Sequence, residues 1–198
     1  DLMQQYAPTL YKAYQDNGSL TACSIDGQLV AMPWVREKSS KPILIYRKDL
    51  AEQYGVDTSN LETIEDLGAF LTEAHEKVPN IITFESGFPR GNTYSDVLAI
   101  LHAKYEMDSP NYHMLTFDLN ASDVTLEPIE QTEMFKEAVT WMKKWYDNGI
   151  VSKNELSETD TKMFENGKTF AKVGLMETAQ QGVVFNIDNA EYGWAELY

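Results

Sequence analysis

The chain has 198 residues, 43% of them hydrophobic, enough for one sizeable domain or two small ones. Its 16 basic and 31 acidic side chains give a formal net charge of −15, which opposes long-range attraction to nucleic acid or anionic lipid. No apolar run reaches the roughly 20 residues that span a bilayer, and no secretory leader is present.

Residues 2–16 read as a helix, with Leu2, Met3, Tyr6, Leu10 and Tyr14 as its apolar stripe and Pro8 disturbing the first turns. Asn17-Gly18 closes it, because both residues tolerate a left-handed backbone. A hairpin is predicted next, over 22–25 and 28–32, turning at Asp26-Gly27 and ended by Pro33. Cys23 falls in its first strand as a small buried residue. As the only cysteine, it excludes an internal disulfide and a cysteine-rich zinc site. Pro42 opens a strand over 43–46, which leads into a short helix over 48–54 closed by Gly55. A longer helix over 64–78 has Thr63 as N-cap and Asp66 three residues on, a variant capping box. Ile64, Leu67, Leu71, Ala74 and Val78 are its core stripe.

Residues 81–84 form a short buried strand, 85–92 a Gly-rich loop with Pro89, and 94–105 a helix. Two extended segments, 113–119 and 124–126, are joined by a polar turn. The clearest helix covers 131–148: Met134, Phe135, Ala138, Val139, Met142, Trp145 and Tyr146 share a face, and Gly149 stops it. A small helix over 159–165 precedes a strand over 170–175, and a strand over 192–197 ends the chain. Strands separated by helices predict an α/β layer, with a central sheet flanked by helices.

Catalytic and metal motifs are missing. There is no phosphate-binding glycine loop and no nucleophile elbow. His75, His102 and His113 stand apart from one another and read as surface residues. Asp118 to Ser122 begins like a calcium loop, but the sixth position is Asp123 and the twelfth Ile129, where Gly and Glu are needed. No metal and no cofactor are expected. The alternative enzymatic reading is a carbohydrate-active hydrolase with Glu37 and Glu85 as paired carboxylates, which requires a separation that sequence does not give.

Four stretches carry a resemblance: Asp26 to Pro33, Ile45 to Leu50 with Leu61 to Leu67, Trp145 to Ile150, and Phe164 to Lys168 followed by an apolar strand. In order and spacing they resemble the family 1 extracellular solute-binding proteins of ABC importers, of the maltodextrin-binding type. Arg47 stands where that family has Asn, and Ile64 where it has Trp. The chain is similar to the second lobe only, with residues 1–33 as a helix and hairpin leading into the interlobe crossover and 34–198 as the ligand-closing lobe. The resemblance implies a periplasmic-binding-protein-like fold, no catalysis, and a small polar ligand, an oligosaccharide. It implies as partners the transporter's membrane subunits and the first lobe of the same protein. It also implies an extracellular location with a lipoprotein anchor, the start at Asp1 without Met being that of a mature or excised segment.

Ligand contacts are implied in three loops. The crossover loop offers Trp34 and Glu37; the loop after the 81–84 strand offers Glu85, Phe88, Arg90, Asn92 and Tyr94; the loop after Leu175 offers Glu177 and Gln180. Aromatic faces and polar hydrogen-bonding groups together suit a sugar. The third loop lacks the aromatic platform that many relatives have there. Trp34 can stack on ligand or pack at the hinge. Trp141 and Trp145, four residues apart on a helix, are read as core packing.

Overall fold

The computed structural model describes residues 2–32, 41–85, 96–109, 115–153, 162–175 and 183–198. They fall into two compact units, residues 1–39 and 40–198.

The first unit holds α1 (Leu2–Tyr6), α2 (Pro8–Asp16), α3 (Ser19–Ala22), β1 (Ser24–Ile25) and β2 (Gln28–Leu29). The helix predicted over 2–16 is two helices. Pro8 opens α2, where its missing N–H would have no partner in any case, and Ala7 before it leaves helical geometry at φ −139°. Gly18, at φ 77°, ends α2 as expected but also starts α3. Asp26 and Gly27 both have positive φ, the two-residue turn that matches strand twist. The hairpin strands are only two residues each, and Cys23 lies between α3 and β1, half-buried, not within a strand. Leu2 and Tyr6 are each 75% exposed, whereas Tyr14 is buried. So short a segment cannot bury a full apolar stripe.

The second unit is built on a four-stranded sheet in the order β4-β8-β3-β9. Its strands are β3 (Pro42–Arg47), β4 (Ile82–Glu85), β8 (Thr169–Leu175) and β9 (Tyr192–Glu196). β3 is antiparallel to both β8 and β9, and β4 is parallel to β8. Every residue of β3 is buried, because both faces of the sheet are covered. Leu44 and Tyr46 point into the larger core, with residues of α5 (Ile64–Lys77), α6 (Asp96–Lys104) and α7 (Glu133–Asp147). Ile43 and Ile45 point the other way, against Phe164, with Val183, Phe185 and Tyr192 around them.

Local rules place the helices. α4 (Lys48–Tyr54) stops at Gly55, at φ 65°. At the start of α5, Asp66 N donates to Thr63 Oγ1 at 3.1 Å and Thr63 N donates back to Asp66 Oδ2 at 3.0 Å, the reciprocal capping box. Gly149 ends α7 at φ 76°. Along α7 only Met134, Ala138 and Trp145 are buried; Val139 and Tyr146 are about half exposed, so the predicted stripe is narrower than its composition suggests.

Three further expectations change. A small sheet joins β5 (Met107–Asp108), β6 (Leu115–Asp118) and β7 (Glu127–Pro128). Val124 and Leu126, predicted as extended, are exposed and precede β7; pairing begins only where Glu127 and Pro128 meet Thr116 and Leu115. Pro128 is tolerated there because β7 is an edge strand. Of the helix predicted over 159–165, residues 162–165 form turns and the remainder lies outside the described residues. His102, read as a surface residue, is buried: α6 is apolar all round from Val97 to Leu101, so its sides face protein. His102 Nδ1 lies 3.1 Å from the Met107 carbonyl oxygen. His75 is exposed on α5, with Nδ1 2.9 Å from Thr83 Oγ1; His113 lies outside the described residues.

Candidate functional site

Strand directions bring the start of β3 and the ends of β4, β8 and β9 to one edge of the main sheet. Pro42, the first residue of β3, pairs with Leu175, the last of β8. Because β4 runs parallel to β8, its C-terminal end, Glu85 opposite Lys172, faces the same way, although the Glu85 carboxylate turns back toward Thr169 at the start of β8. The C-terminal end of β9 joins them, with Glu196 beside Ile43. At this edge the chain enters β3 and leaves β4 and β8; the three segments that sequence nominates for ligand contact, 34–40, 86–94 and 176–180, lie outside the described residues. In open α/β sheets the space beyond the C-terminal strand ends is where ligands bind.

Of the nine nominated residues, the structure describes Glu85. Trp34, Glu37, Phe88, Arg90, Asn92, Tyr94, Glu177 and Gln180 lie outside the described residues, and so does the separation of Glu37 from Glu85. Glu85 is buried at 7% exposure. Its Oε2 accepts a long hydrogen bond, 3.4 Å, from Thr169 Oγ1 on β8, itself fully buried. A carboxylate held this way is constrained in position, and it sits where the second segment begins. Beside it in register, Lys172 donates from Nζ to Glu165 Oε1 at 2.6 Å and lies 5.2 Å from the centre of the Phe164 ring. That pair ties the 162–168 turn to β8.

Sequence reading missed Lys41 and Glu196 at this edge and Trp194 in the middle of β9. Lys41 Nζ donates to Glu196 Oε2 at 2.6 Å, and the carboxylate holds the ammonium above its ordinary pKa. Trp194 is half exposed on β9, and strand alternation places it with Tyr192 and Glu196 on one face. The signal was the alternation in Tyr192-Gly-Trp-Ala-Glu196, legible only once the strand has a partner.

The opposite end of β3 carries structural chemistry. Arg47 is buried and grips Asp49 with two hydrogen bonds, Nε to Oδ1 at 2.8 Å and Nη2 to Oδ2 at 2.6 Å. Partial burial pushes the Asp49 carboxyl up, but hydrogen bonding and charge from Arg47 outweigh it and leave the pKa lowered. The guanidinium also lies 5.5 Å from the centre of the Phe185 ring. Trp145 is fully buried, its ring 5.3 Å from that of Phe84, and Trp141 rests on Gly68 of α5. Both tryptophans are packing residues. Among the described residues no group of three or more His, Cys, Asp or Glu is placed to hold a metal ion, and no helix is long and apolar enough to cross a membrane.

Comparison with known proteins agrees with this architecture. Residues 1–190 match the family described as bacterial extracellular solute-binding protein. A carbohydrate ABC transporter substrate-binding protein of Streptococcus pneumoniae serotype 4 is 23% identical over 163 residues, which is 81% of this chain and 30% of that protein. The N-glycan transport solute binding protein (NgtS) from Streptococcus pneumoniae superposes with a TM-score of 0.69 at 18% identity, over 99% of this chain and 42% of its own. That protein has also been solved with Man1GlcNAc and with Man5GlcNAc. The alginate-binding protein AlgQ2 superposes with a TM-score of 0.61 at 17% identity, over 98% of this chain and 40% of its own. At these identities the superpositions establish the fold, periplasmic-binding-protein-like. The chain spans less than half the length of each of these relatives.

Proposed function

Because the chain belongs to the bacterial extracellular solute-binding proteins, we propose that it is the ligand-closing second lobe of a carbohydrate-binding component of an ABC importer. The observation that carries the reading is the family match over residues 1–190; it is supported by a sheet in which β3 begins, and β4 and β8 end, at one edge. Residues 1–33 would lead into the crossover and 34–198 would form the lobe. Glu85, Trp34, Glu37, Phe88, Arg90, Asn92, Tyr94, Glu177 and Gln180 are the proposed ligand contacts. The ligand is an oligosaccharide, held between this edge and the first lobe of the same protein.

The mechanism needs no bond to be made or broken. Ligand that touches both lobes binds the closed arrangement more tightly than the open one, and this difference alone shifts the population. The membrane subunits of the transporter then recognise the closed form, outside the cell, with the protein held to the membrane by a lipid anchor. One lobe presents half a cleft, so this chain alone binds weakly, with a Kd on the order of millimolar.

Isothermal titration of the chain with Man1GlcNAc, Man5GlcNAc, maltose and maltopentaose tests the proposal. Saturable, weak binding of at least one sugar is expected. Absence of binding to every sugar, or tight binding by this chain alone, would contradict it.

A further inference from the structure

We infer that the loop joining β6 to β7, residues 119–126, is a docking surface for a protein surface that is basic and apolar; the inference is independent of the carbohydrate reading above. Every residue from 118 to 127 is exposed, among them Leu119 at 57%, Val124 at 66% and Leu126 at 48%. One such side chain is ordinary on a protein surface. Here three fall within a single short connection, whose flanking strands meet at Thr116 and Glu127.

The loop is held in shape. The Asn120 backbone N–H donates to Asp118 Oδ1 at 2.7 Å, and its side-chain Nδ2 donates to Glu106 Oε2 at 2.6 Å. The Leu119 N–H donates to the Glu106 carbonyl oxygen at 2.9 Å. Apolar side chains carried on an ordered backbone lose less entropy on association.

Charge selects the occupant. Between residues 105 and 131 stand six carboxylates, Glu106, Asp108, Asp118, Asp123, Glu127 and Glu130, and no Lys or Arg. All six are exposed, and none has an ion-pair partner among the described residues. Carboxylates on the helices do: Glu65 and Glu137 share Lys104, Glu73 holds Lys77 and Asp147 holds Lys143. Nucleic acid and anionic membrane are repelled by such a surface, and a second copy would set the same carboxylates against each other. A small ligand needs a concavity, which an unbroken run of exposed residues does not offer. A basic protein surface with an apolar recess answers both features. Leu119, Val124 and Leu126 supply the dry contact, and the carboxylates steer the approach.

The test follows amide NMR shifts of the whole chain on titration with a helical peptide of Lys and Leu, with polylysine, and with the same peptide carrying Glu for Lys. The Lys–Leu peptide is expected to shift residues 118–127 and Glu106, and to bind about tenfold more weakly in high salt. Polylysine is expected to bind about tenfold more weakly than the Lys–Leu peptide, and the Glu–Leu peptide not at all. Leu119→Ser/Val124→Ser/Leu126→Ser is expected to weaken the Lys–Leu peptide about tenfold while keeping the urea midpoint, since all three side chains are exposed. Should that variant unfold, Asp123→Asn/Glu127→Gln, which removes charge alone, is expected to weaken the peptide several-fold. Shifts confined to other parts of the chain, an undiminished affinity in the folded triple variant, equal binding of polylysine, or no binding of the Lys–Leu peptide would each overturn the inference. The sugar titration decides the carbohydrate reading separately.

Discussion

Gly68 sits inside α5 with the Trp141 ring of α7 lying on it, and two opposing effects decide what an alanine there would do. Helix propensity favours the change by about 1 kcal/mol. Against it, the added Cβ would lie 2.5 Å from Cζ3 and 2.8 Å from Cη2 of Trp141, so the ring must retreat by about 1 Å to reach an ordinary carbon contact. The ring is not free to do so without loss. Its Nε1 donates to Glu137 Oε1 at 3.3 Å, Lys144 Nζ lies 4.7 Å from its centre, and the Trp145 ring is stacked at 5.5 Å. Overpacking of this kind costs roughly 1–3 kcal/mol, so Gly68→Ala should destabilise the protein by about 1 kcal/mol net. In a Trp141→Leu background the clash is gone, and the same substitution should stabilise by about 1 kcal/mol. Equilibrium urea unfolding of the four proteins, at constant m-value, reads the reversal of sign. An equal gain from Gly68→Ala in both backgrounds would refute the argument.

Gly193→Ala is a second packing test: a Cβ there would clash with the Tyr46 ring, which is buried and meets Phe70 edge-on. A loss of about 1–3 kcal/mol is expected in urea unfolding, largely relieved by Tyr46→Leu; a neutral Gly193→Ala would show that β9 can shift freely. Acid unfolding tests the electrostatics. Burial holds His102 below its ordinary value of 6.5, only partly offset by the Met107 carbonyl and Asp108, so its contribution is complete above that pH and is lost as pH falls through the lowered value. Glu137 follows at lower pH. Burial raises its carboxyl, but hydrogen bonds from Lys104, Tyr105 and Trp141 outweigh this and hold it below 4.5. The sign is the same, stability present above 4.5 and lost on acidification. His102→Gln should flatten the stability profile just below pH 6.5, and Glu137→Gln below pH 4.5. A profile unchanged by both would contradict these assignments.

Local chemistry was readable from sequence where one or two residues decide the conformation. Thr63 with Asp66, Asp26 with Gly27, Gly55 and Gly149 each set a cap or a turn as expected. Features that depend on distant partners were not. The burial of His102 follows from α6 being enclosed on all sides, and β5 exists only because β6 meets it. The predicted strand over 124–126 failed for the same reason, since apolar residues without a pairing strand stay exposed. For the site, sequence identified three segments by composition and by family resemblance. That β3 begins where β4 and β8 end depends on the antiparallel pairing of Pro42 with Leu175 and the parallel pairing of Glu85 with Lys172, which no local pattern encodes. Trp194 was overlooked because a strand reveals its exposed face only after its neighbour is known.

Hydrogen exchange, with and without the sugar that the titration identifies, tests the central claim most directly. Binding at the proposed edge should slow amide exchange in peptides covering residues 34–40, 86–94 and 176–180, and leave exchange around Arg47 and Asp49 unchanged. Protection confined to the Arg47 end of the sheet, or saturable binding with no protection in any of the three segments, would contradict it.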